Sequence, residues 1–406
     1  MIAVVVGLAA WTLSAQAAEE AAVPLVEADL IAVLQAEGDY MTHLAAFRGL
    51  RQVGTEVSVP VVAPFLHDEK KSHLARYVLE GMPSELAAAA LRDSLADAPD
   101  TLLPGILSSL GARRDGASVA LIGALTTHEN LEIARHAKAA LGRIATPEAA
   151  HALLNRYDGG TDLDLAEALL AAAQNLVADG DPTTAIPIYE ALRREGNPEF
   201  VRIGAFYGLV GAEPGKTPER VIATIQGDEP LYRKLAREVV AETAGKDATR
   251  QYANALSSLP DEVQVQMLAG LARRGDKNAR EGVVAAVASN DPAVKRAAID
   301  ALGTLGSEKD VQQLAILMTD ADEAIATAAR NSLIRLRGER VDPAIVTWMK
   351  KAGSDMQARL MTILDVRISA TALPQARLYL TNNSDEVRLA SLGVFLQQGE
   401  VADFDA

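Results

Sequence analysis

The glycine-rich stretch from Gly211 to Thr217, GAEPGKT, is the part of the chain that comes nearest to a chemical motif. A phosphate-binding loop cradles phosphates with backbone N–H groups and a lysine, and it needs a glycine five residues before the glycine of its Gly-Lys pair. Val210 stands at that position, and no strand pattern precedes it. We therefore interpret the stretch as a turn between two helices and expect no nucleotide site.

Acidic side chains of the kind that bind Ca²⁺ are grouped at Asp320, Asp322 and Glu323. An EF-hand loop also needs a central glycine and a distal glutamate, and this segment lacks both. Acidic residues are common at the start of a helix, where they accept hydrogen bonds from free N–H groups and complement the helix dipole. The group is better interpreted as a helix N-cap.

The chain contains no cysteine, no G-x-S-x-G and no H-E-x-x-H sequence. Without cysteine it can hold no disulfide, thiolate metal site, cysteine nucleophile or covalently attached c-type haem. A serine triad can assemble from distant residues, but no pattern supports one. The sequence therefore predicts no catalytic residue, no metal site and no cofactor.

The second half of the chain repeats every 31 residues. We number the positions within each repeat from Val201, which is position 0 of the first. Position 0 of the seven successive repeats is then Val201, Tyr232, Val263, Val294, Ile325, Met356 and Val387. Position +8 is Leu209, Val240, Leu271, Leu302, Leu333, Leu364 or Phe395. A fixed period of this length is typical of a solenoid, in which each unit buries its apolar face against its neighbours.

One repeat, residues 277–306, predicts a helical hairpin. Val283 and Val287 lie on the apolar face of a first helix, and Asp291-Pro292 gives an N-cap and first residue for a second helix. The second helix has an apolar stripe of Val294, Ala297, Ala298, Ala301 and Leu302. Gly303 and Gly306 offer places to end it.

The composition agrees with a stack of such hairpins, since 49% of the residues are hydrophobic but only 4% are aromatic. Small residues at positions +3 and +4 let neighbouring helices approach closely. Before Val201 the period drifts. We predict an all-α superhelix over 19–406, with about eleven hairpins, irregular repeats over 40–200 and regular repeats over 201–398.

Residues 130–142, NLEIARHAKAALG, and 291–303, DPAVKRAAIDALG, resemble the second helix of HEAT repeats, including the bilin-lyase-like subgroup. The resemblance covers roughly residues 40–400 and implies a HEAT/armadillo-like fold. His128-Glu129 also resembles the His-Glu pairs of the HEAT-fold di-iron hydroxylase family. That family uses several such pairs and this chain has one, so we interpret His128 as a turn residue.

The first eighteen residues resemble a signal peptide. An apolar run from Ile2 to Leu13 precedes Ala15-Gln16-Ala17, which fits a cleavage site after Ala17 or Ala18. The run is shorter than the roughly 20 residues that span a membrane, and the usual basic residue before it is missing. An uncleaved anchor and a buried first helix are the alternatives. An exported protein without cysteine suggests a bacterial periplasm or envelope, or secretion, with no stable membrane insertion after cleavage.

The net charge of −15 argues against nucleic acid as a partner, because phosphate binding needs a basic surface. A ladder of cations nevertheless follows the second helices, and it includes Arg202, Arg233, Arg237, Arg296 and Arg330. It has two interpretations. The side chains are either solvated or ion-paired, or they line a positive groove for an acidic partner.

A second group of candidate partner-binding residues lies nearer the N-terminus: His73, Arg76, Tyr77, Arg113, Arg114 and Asp115. The first three belong early in one second helix and the last three close the next. They bind a partner, or they cap helices and pair charges. The surrounding segments resemble the N-terminal repeats of exported HEAT proteins of planctomycete-type bacteria, which often accompany a sugar-hydrolase-like or c-type cytochrome domain.

The sequence therefore predicts a non-catalytic scaffold of the bacterial envelope that binds a protein or peptide along the concave face lined by the second helices. The chain ends at Ala406, where a further first helix should begin, so we expect it to be truncated at its C-terminus. One alternative is the accessory region of a larger envelope enzyme, and a more remote one is a lyase-type HEAT enzyme.

Overall fold

The computed structural model describes residues 25–227 and 229–399. These residues form 24 α-helices joined by short 3₁₀ turns and contain no β-strand. The all-α fold predicted from the sequence is confirmed. The expected signal peptide lies outside the described residues. The chain divides into two compact units, with the boundary between Ala212 and Glu213.

The first unit contains twelve helices in six consecutive hairpins. They are α1 (Glu27–Gln35), α2 (Tyr40–Val53), α3 (Val59–Val62), α4 (Ser72–Gly81), α5 (Glu85–Asp93), α6 (Leu103–Ala112), α7 (Val119–Leu125), α8 (Leu131–Ile144), α9 (Pro147–Leu154), α10 (Leu163–Ala178), α11 (Pro182–Leu192) and α12 (Glu199–Gly211). In each hairpin the even-numbered helix is the second helix.

The second unit contains the remaining twelve helices, again in six hairpins. They are α13 (Thr217–Gln226), α14 (Pro230–Glu242), α15 (Lys246–Ala255), α16 (Asp261–Arg274), α17 (Arg280–Ala286), α18 (Pro292–Leu305), α19 (Val311–Leu317), α20 (Glu323–Arg335), α21 (Val341–Met349), α22 (Ser354–Val366), α23 (Ala372–Tyr379) and α24 (Asp385–Gln398).

The described residues therefore contain twelve hairpins, one more than the sequence predicted. The additional hairpin is α1–α2, which precedes the first position that the repeat pattern identified. Before Val201, the preceding repeat position is Leu165, and both residues are the third residue of their second helix, α10 or α12. The interval between them is long because α10 has 16 residues and a loop separates α11 from α12. The prediction of one continuous solenoid over 19–406 concerns both units together and stays a prediction.

The repeat register is visible in the core of each unit. All seven residues at position +8 are buried, and so are six of the seven at position 0, with Met356 half-buried. Ala298, at position +4 of α18, is fully buried. The apolar stripe of each second helix thus faces its own first helix and its neighbours, as the 31-residue period predicted.

Consecutive second helices pack closely where small residues face each other. A Cβ atom on Gly111 would lie 3.0 Å from the Cα of Ala140, and one on Gly303 would lie 3.1 Å from the Cα of Ser332. The expectation that Gly303 offers an end to α18 was wrong. The helix continues to Leu305, and its C-cap is Gly306, the other glycine that the sequence offered as an end. Gly303 instead lies where α20 approaches closely.

The N-caps follow the sequence prediction. Asp291 accepts hydrogen bonds from the N–H groups of Ala293 and Val294, both at 2.9 Å. Asp322 likewise accepts from Ala324 N–H at 2.8 Å, which confirms that the acidic group at residues 320–323 caps α20. Each cap satisfies N–H groups that the first helical turn leaves unpaired.

Candidate binding surface on the second helices

In five of the seven regular repeats, the side chain at position +1 holds its own hairpin together. The donated hydrogen bonds run from Arg202 to Arg193 O (3.4 Å), Arg233 to Gly227 O (2.9 Å), Gln264 to Leu259 O (2.8 Å), Gln357 to Met349 O (3.3 Å) and Arg388 to Asn382 O (2.7 Å). Each acceptor lies at or after the end of the preceding first helix. This position therefore closes the hairpin turn, which accounts for two cations of the ladder, Arg202 and Arg233.

Arg233 also forms an ion pair with Glu262 at 3.3 Å, and Lys295, again at position +1, pairs with Asp320 at 2.8 Å. Glu262 lies in the first turn of α16, and Asp320 lies shortly before α20. These pairs connect one repeat to the next, and their cations are mostly buried. The structure places this part of the ladder in contacts within the protein.

The arginines at positions +2 and +5 differ in their contacts from the cations at position +1. Arg296 lies at position +2 of α18, Arg237 at position +5 of α14 and Arg330 at position +5 of α20. Within the described ranges, none of the three guanidinium groups forms a hydrogen bond or ion pair. Arg296 and Arg330 are exposed and Arg237 is half-buried. These three side chains keep all their donors available.

Two of these arginines line open hollows on the exposed side of the second helices. A hollow of about 570 Å³ between α18 and α20 is bordered by Arg296, Asp300, Glu323 and Thr327. A smaller hollow of about 230 Å³ between α20 and α22 is bordered by Thr327 and Arg330. Thr327 lines both, so the two hollows adjoin along one face of the second unit.

Three of the N-terminal candidates, His73, Arg76 and Tyr77, lie on α4, next to α2 and α6. His73 is exposed, and its Nε2 atom lies 3.2 Å from the hydroxyl of Tyr40. Tyr77 is half exposed, and the guanidinium of Arg51 lies 5.1 Å from its ring centroid. Together with Tyr40 and Arg51 of α2, these two side chains form an aromatic and basic surface.

Arg76 crosses from α4 to α6. Its Nη1 atom donates a hydrogen bond to Gly105 O at 3.1 Å, and a Cβ atom on Gly105 would collide with the guanidinium. Burial lowers the pKa of Arg76, while the nearby Glu80 carboxylate opposes that shift. The Nε atom is buried and has no partner within the described part of the chain. Arg76 therefore contributes mainly to the contact between these helices.

Arg113 binds the end of the preceding second helix. It donates to Leu79 O (2.6 Å), Met82 O (2.5 Å) and Ser84 O (2.8 Å), and burial lowers its pKa. These carbonyl groups occupy donors that a partner would otherwise use. Its binding role stays a prediction, and its contacts agree with the helix-capping interpretation.

Asp115 and Arg114 are also engaged within the protein. Asp115 pairs with Arg92 at 2.6 Å and stands at the N-cap of the next 3₁₀ turn. Arg114 adopts a left-handed backbone conformation with φ of 53° and pairs with Asp179, and that hydrogen bond raises the pKa of Arg114. Both residues fit the charge-pairing interpretation.

Sequence reasoning missed the recurrence of the Arg113 contact at position +11. Arg274 donates to Val240 O (3.3 Å) and Gly245 O (2.7 Å), and Arg367 donates to Leu333 O (2.9 Å) and Leu336 O (2.7 Å). We call this contact the +11 clamp, formed by Arg113, Arg274 and Arg367. The signal was available, since both Arg274 and Arg367 follow position 0 by 11 residues.

The remaining motifs occupy ordinary turns. Pro214–Lys216 form a 3₁₀ turn, and Lys216 pairs with Glu213 at 3.0 Å. His128 accepts a hydrogen bond from Asn130 N–H ahead of α8. Over residues 25–227 and 229–399 no group of three or more His, Cys, Asp or Glu side chains is placed to hold a metal ion. Over the same ranges, no helix has the length and apolar character needed to cross a membrane.

Comparison with known proteins agrees with the fold. Residues 250–334 match the family model described as HEAT repeats. This part of the chain consists of HEAT repeats, as the sequence resemblance predicted. The bilin-lyase-like subgroup and the planctomycete-type group stay predictions. No curated protein sequence matches the chain.

Several solved structures are similar at low identity. One is the karyopherin Kap121p bound to the extreme C-terminus of the protein phosphatase Cdc14p, with 12% identity and a TM-score of 0.39. The match covers 89% of this chain and 47% of the Kap121p chain. Another is Kap95p in complex with RanGDP, with 12% identity and a TM-score of 0.38. The match covers 92% of this chain and 60% of the Kap95p chain. This chain thus spans about half the length of these karyopherins.

Human deoxyhypusine hydroxylase has 19% identity and a TM-score of 0.29, covering 63% of this chain and 98% of its own. At these identities the similarity concerns the helical repeat fold alone, and the activity of that enzyme does not transfer to this chain.

Proposed function

We propose that this chain is a non-catalytic scaffold that binds a protein or peptide across the exposed side of the second helices in its second unit. One observation carries the proposal. The cations at position +1 are used within the protein, whereas Arg237, Arg296 and Arg330 have no partner within the described residues. Of these, Arg296 and Arg330 border open hollows, where an acidic partner can reach their guanidinium groups.

The preformed helical surface suits this role. Its backbone is ordered before binding, so a partner pays less for ordering the site than it would on a flexible loop. The adjoining hollows between α18, α20 and α22 provide a path for an extended segment. We also propose that the scaffold acts in the bacterial periplasm or envelope, on the basis of the apolar run and Ala-x-Ala pattern in residues 1–18.

Site-specific photo-crosslinking tests the scaffold. Benzoylphenylalanine is placed at Thr327, between the two hollows, or at Thr347, an exposed residue on first helix α21. We expect a protein adduct in the periplasmic fraction with the probe at Thr327 and none with the probe at Thr347. Mass spectrometry then identifies the partner and the crosslinked peptide.

Charge reversal provides the specificity control. Arg296→Glu combined with Arg330→Glu should reduce the Thr327 adduct about tenfold or more, because each charge-assisted hydrogen bond contributes roughly 1.5–3 kcal/mol. Arg337→Glu, in an exposed turn outside the hollows, should leave the adduct unchanged. An adduct that survives the double reversal, or that forms equally at Thr347, would contradict the proposal.

A further inference from the structure

Position +5 is part of the contact between consecutive second helices. It is Leu268 in α16, Ile299 in α18 and Met361 in α22, and each of these side chains is fully buried. In α20 the same position is Arg330, which is exposed. Arginine also occupies position +5 in α14, where Arg237 is half-buried, whereas Arg330 is exposed and borders a hollow. Departures from an apolar position of this kind are concentrated at functional sites.

The junction that Arg330 faces is open. Helices α20 and α22 contact each other far less closely than α18 and α20 or α22 and α24 do. At the junction of α18 and α20, positions +9 and +7 are Gly303 and Ser332, which permit close approach. At the junction of α20 and α22 the same positions are Ile334 and Ile363. Bulkier side chains thus occupy both positions at the more open junction.

The separation leaves the hollow of about 230 Å³ described above. Its floor includes Met318 and Ile363, which are buried, and its rim includes Thr327, Arg330 and Arg359. Such a space accommodates one apolar side chain. It combines an apolar floor with polar groups at the rim, which is the usual composition of a ligand pocket.

The rim carries an uncompensated positive charge. Arg359 pairs with Asp355 through its Nε atom at 2.9 Å, while Arg330 has no acidic partner within the described residues. A guanidinium at the edge of an apolar space binds a carboxylate well, because two parallel N–H donors match its two oxygens.

We infer that this hollow binds an extended peptide segment in which an aromatic or large aliphatic side chain adjoins an acidic one. The apolar side chain lies on Met318 and Ile363, and the carboxylate pairs with Arg330. The inference rests on the proposed scaffold function and names the chemistry of the segment that it recognises.

Methyl NMR with a defined probe tests the assignment. The probe is the synthetic peptide Gly-Ser-Asp-Phe-Asp-Ser-Gly, and the readouts are the ε-methyl of Met318 and the δ1-methyl of Ile363. We expect both signals to shift saturably on titration. The matched peptide with Asn in place of both Asp residues, and the one with Ala in place of Phe, should bind about tenfold more weakly.

Two protein variants complete the test. Arg330→Leu should weaken the binding of the probe peptide about tenfold. It should also raise the melting temperature by about 2 °C, because the same position is apolar and buried in α16, α18 and α22. Arg337→Leu should change neither property. Equal binding to Arg330→Leu, or a lower melting temperature for that variant, would overturn the inference.

The two proposals can fail separately. If the probe does not shift the two methyl signals while crosslinking at Thr327 succeeds, the scaffold stands and the assignment of its segment is wrong. If the probe binds in the hollow but no charge-dependent adduct forms at Thr327, the pocket chemistry is correct and the scaffold function is wrong.

Discussion

Left-handed backbone conformations mark the ends of several second helices. Gly275 adopts a φ of 71° after α16, and three non-glycine residues, Arg114, Ala145 and Ile368, adopt φ values of 52–53° at equivalent points. Glycine enters this region without steric cost, whereas a β-branched residue is strongly disfavoured there. The chain therefore stores backbone strain at Ile368.

Ile368→Gly should stabilise the second unit. The isoleucine side chain is 80% exposed, so its removal sacrifices little packing, while relief of the left-handed strain contributes about 1 kcal/mol. Urea denaturation of the two proteins measures the difference. Val366→Gly is the control, since Val366 is also exposed but lies within α22, where glycine should destabilise. A destabilised Ile368→Gly variant would show that the exposed side chain supports the fold.

At the residue scale, sequence reasoning recovered the caps but did not resolve the cation ladder. Asp291 and Asp322 were identified because an N-cap depends on residues within one helical turn. Whether an arginine binds a carbonyl or faces solvent depends on where the neighbouring helix ends. Arg113 and Arg330 therefore looked alike in the sequence, although the first is engaged and the second is not.

At the element scale, each helix is stabilised mainly by the burial of one narrow stripe. Ala298 illustrates the constraint, because it is fully buried at position +4 of α18 and leaves no room for a larger or charged group. The stripe was predictable from the 31-residue period. The continuation of α18 through Gly303 was not, because that glycine is required by the approach of α20 and not by its own helix.

Ala298→Asp should destabilise the second unit by about 3 kcal/mol or more, since it places an unpaired carboxylate between packed helices. Arg296→Ala, two residues earlier on the exposed side of the same helix, should change the stability by about 0.5 kcal/mol or less. Thermal melting followed by circular dichroism compares the two. Equal effects of both substitutions would mean that the assigned register is wrong.

At the scale of the whole molecule, the repeat period predicted the architecture but not its irregular junctions. Stability in a stack of repeats is approximately a sum of unit terms and nearest-neighbour terms. The packing of α20 against α22 contributes little to the free energy of unfolding, because these helices contact each other loosely. Ile334 and Ile363 occupy the positions that are Gly303 and Ser332 at the preceding junction. Sequence periodicity records that a contact exists and not how close it is.

The open junction should divide the second unit during partial unfolding. We expect amide hydrogen exchange in low denaturant to show that residues 341–398 open as a separate group before residues 261–335. Mass spectrometry of peptides from the two segments measures this. The closely packed junction between α18 and α20 serves as the internal control and should not separate. A single opening transition across both junctions would contradict the expectation.

The +11 clamp has a consequence for the history of the gene. Arg113, Arg274 and Arg367 bind main-chain carbonyl groups of the preceding repeat, and every residue type supplies that acceptor. The contact therefore tolerates mutation of its neighbour. Unequal crossing-over that duplicates 31 codons including one of these arginines would recreate the same contact at the new boundary, without a compensating substitution in the neighbouring repeat.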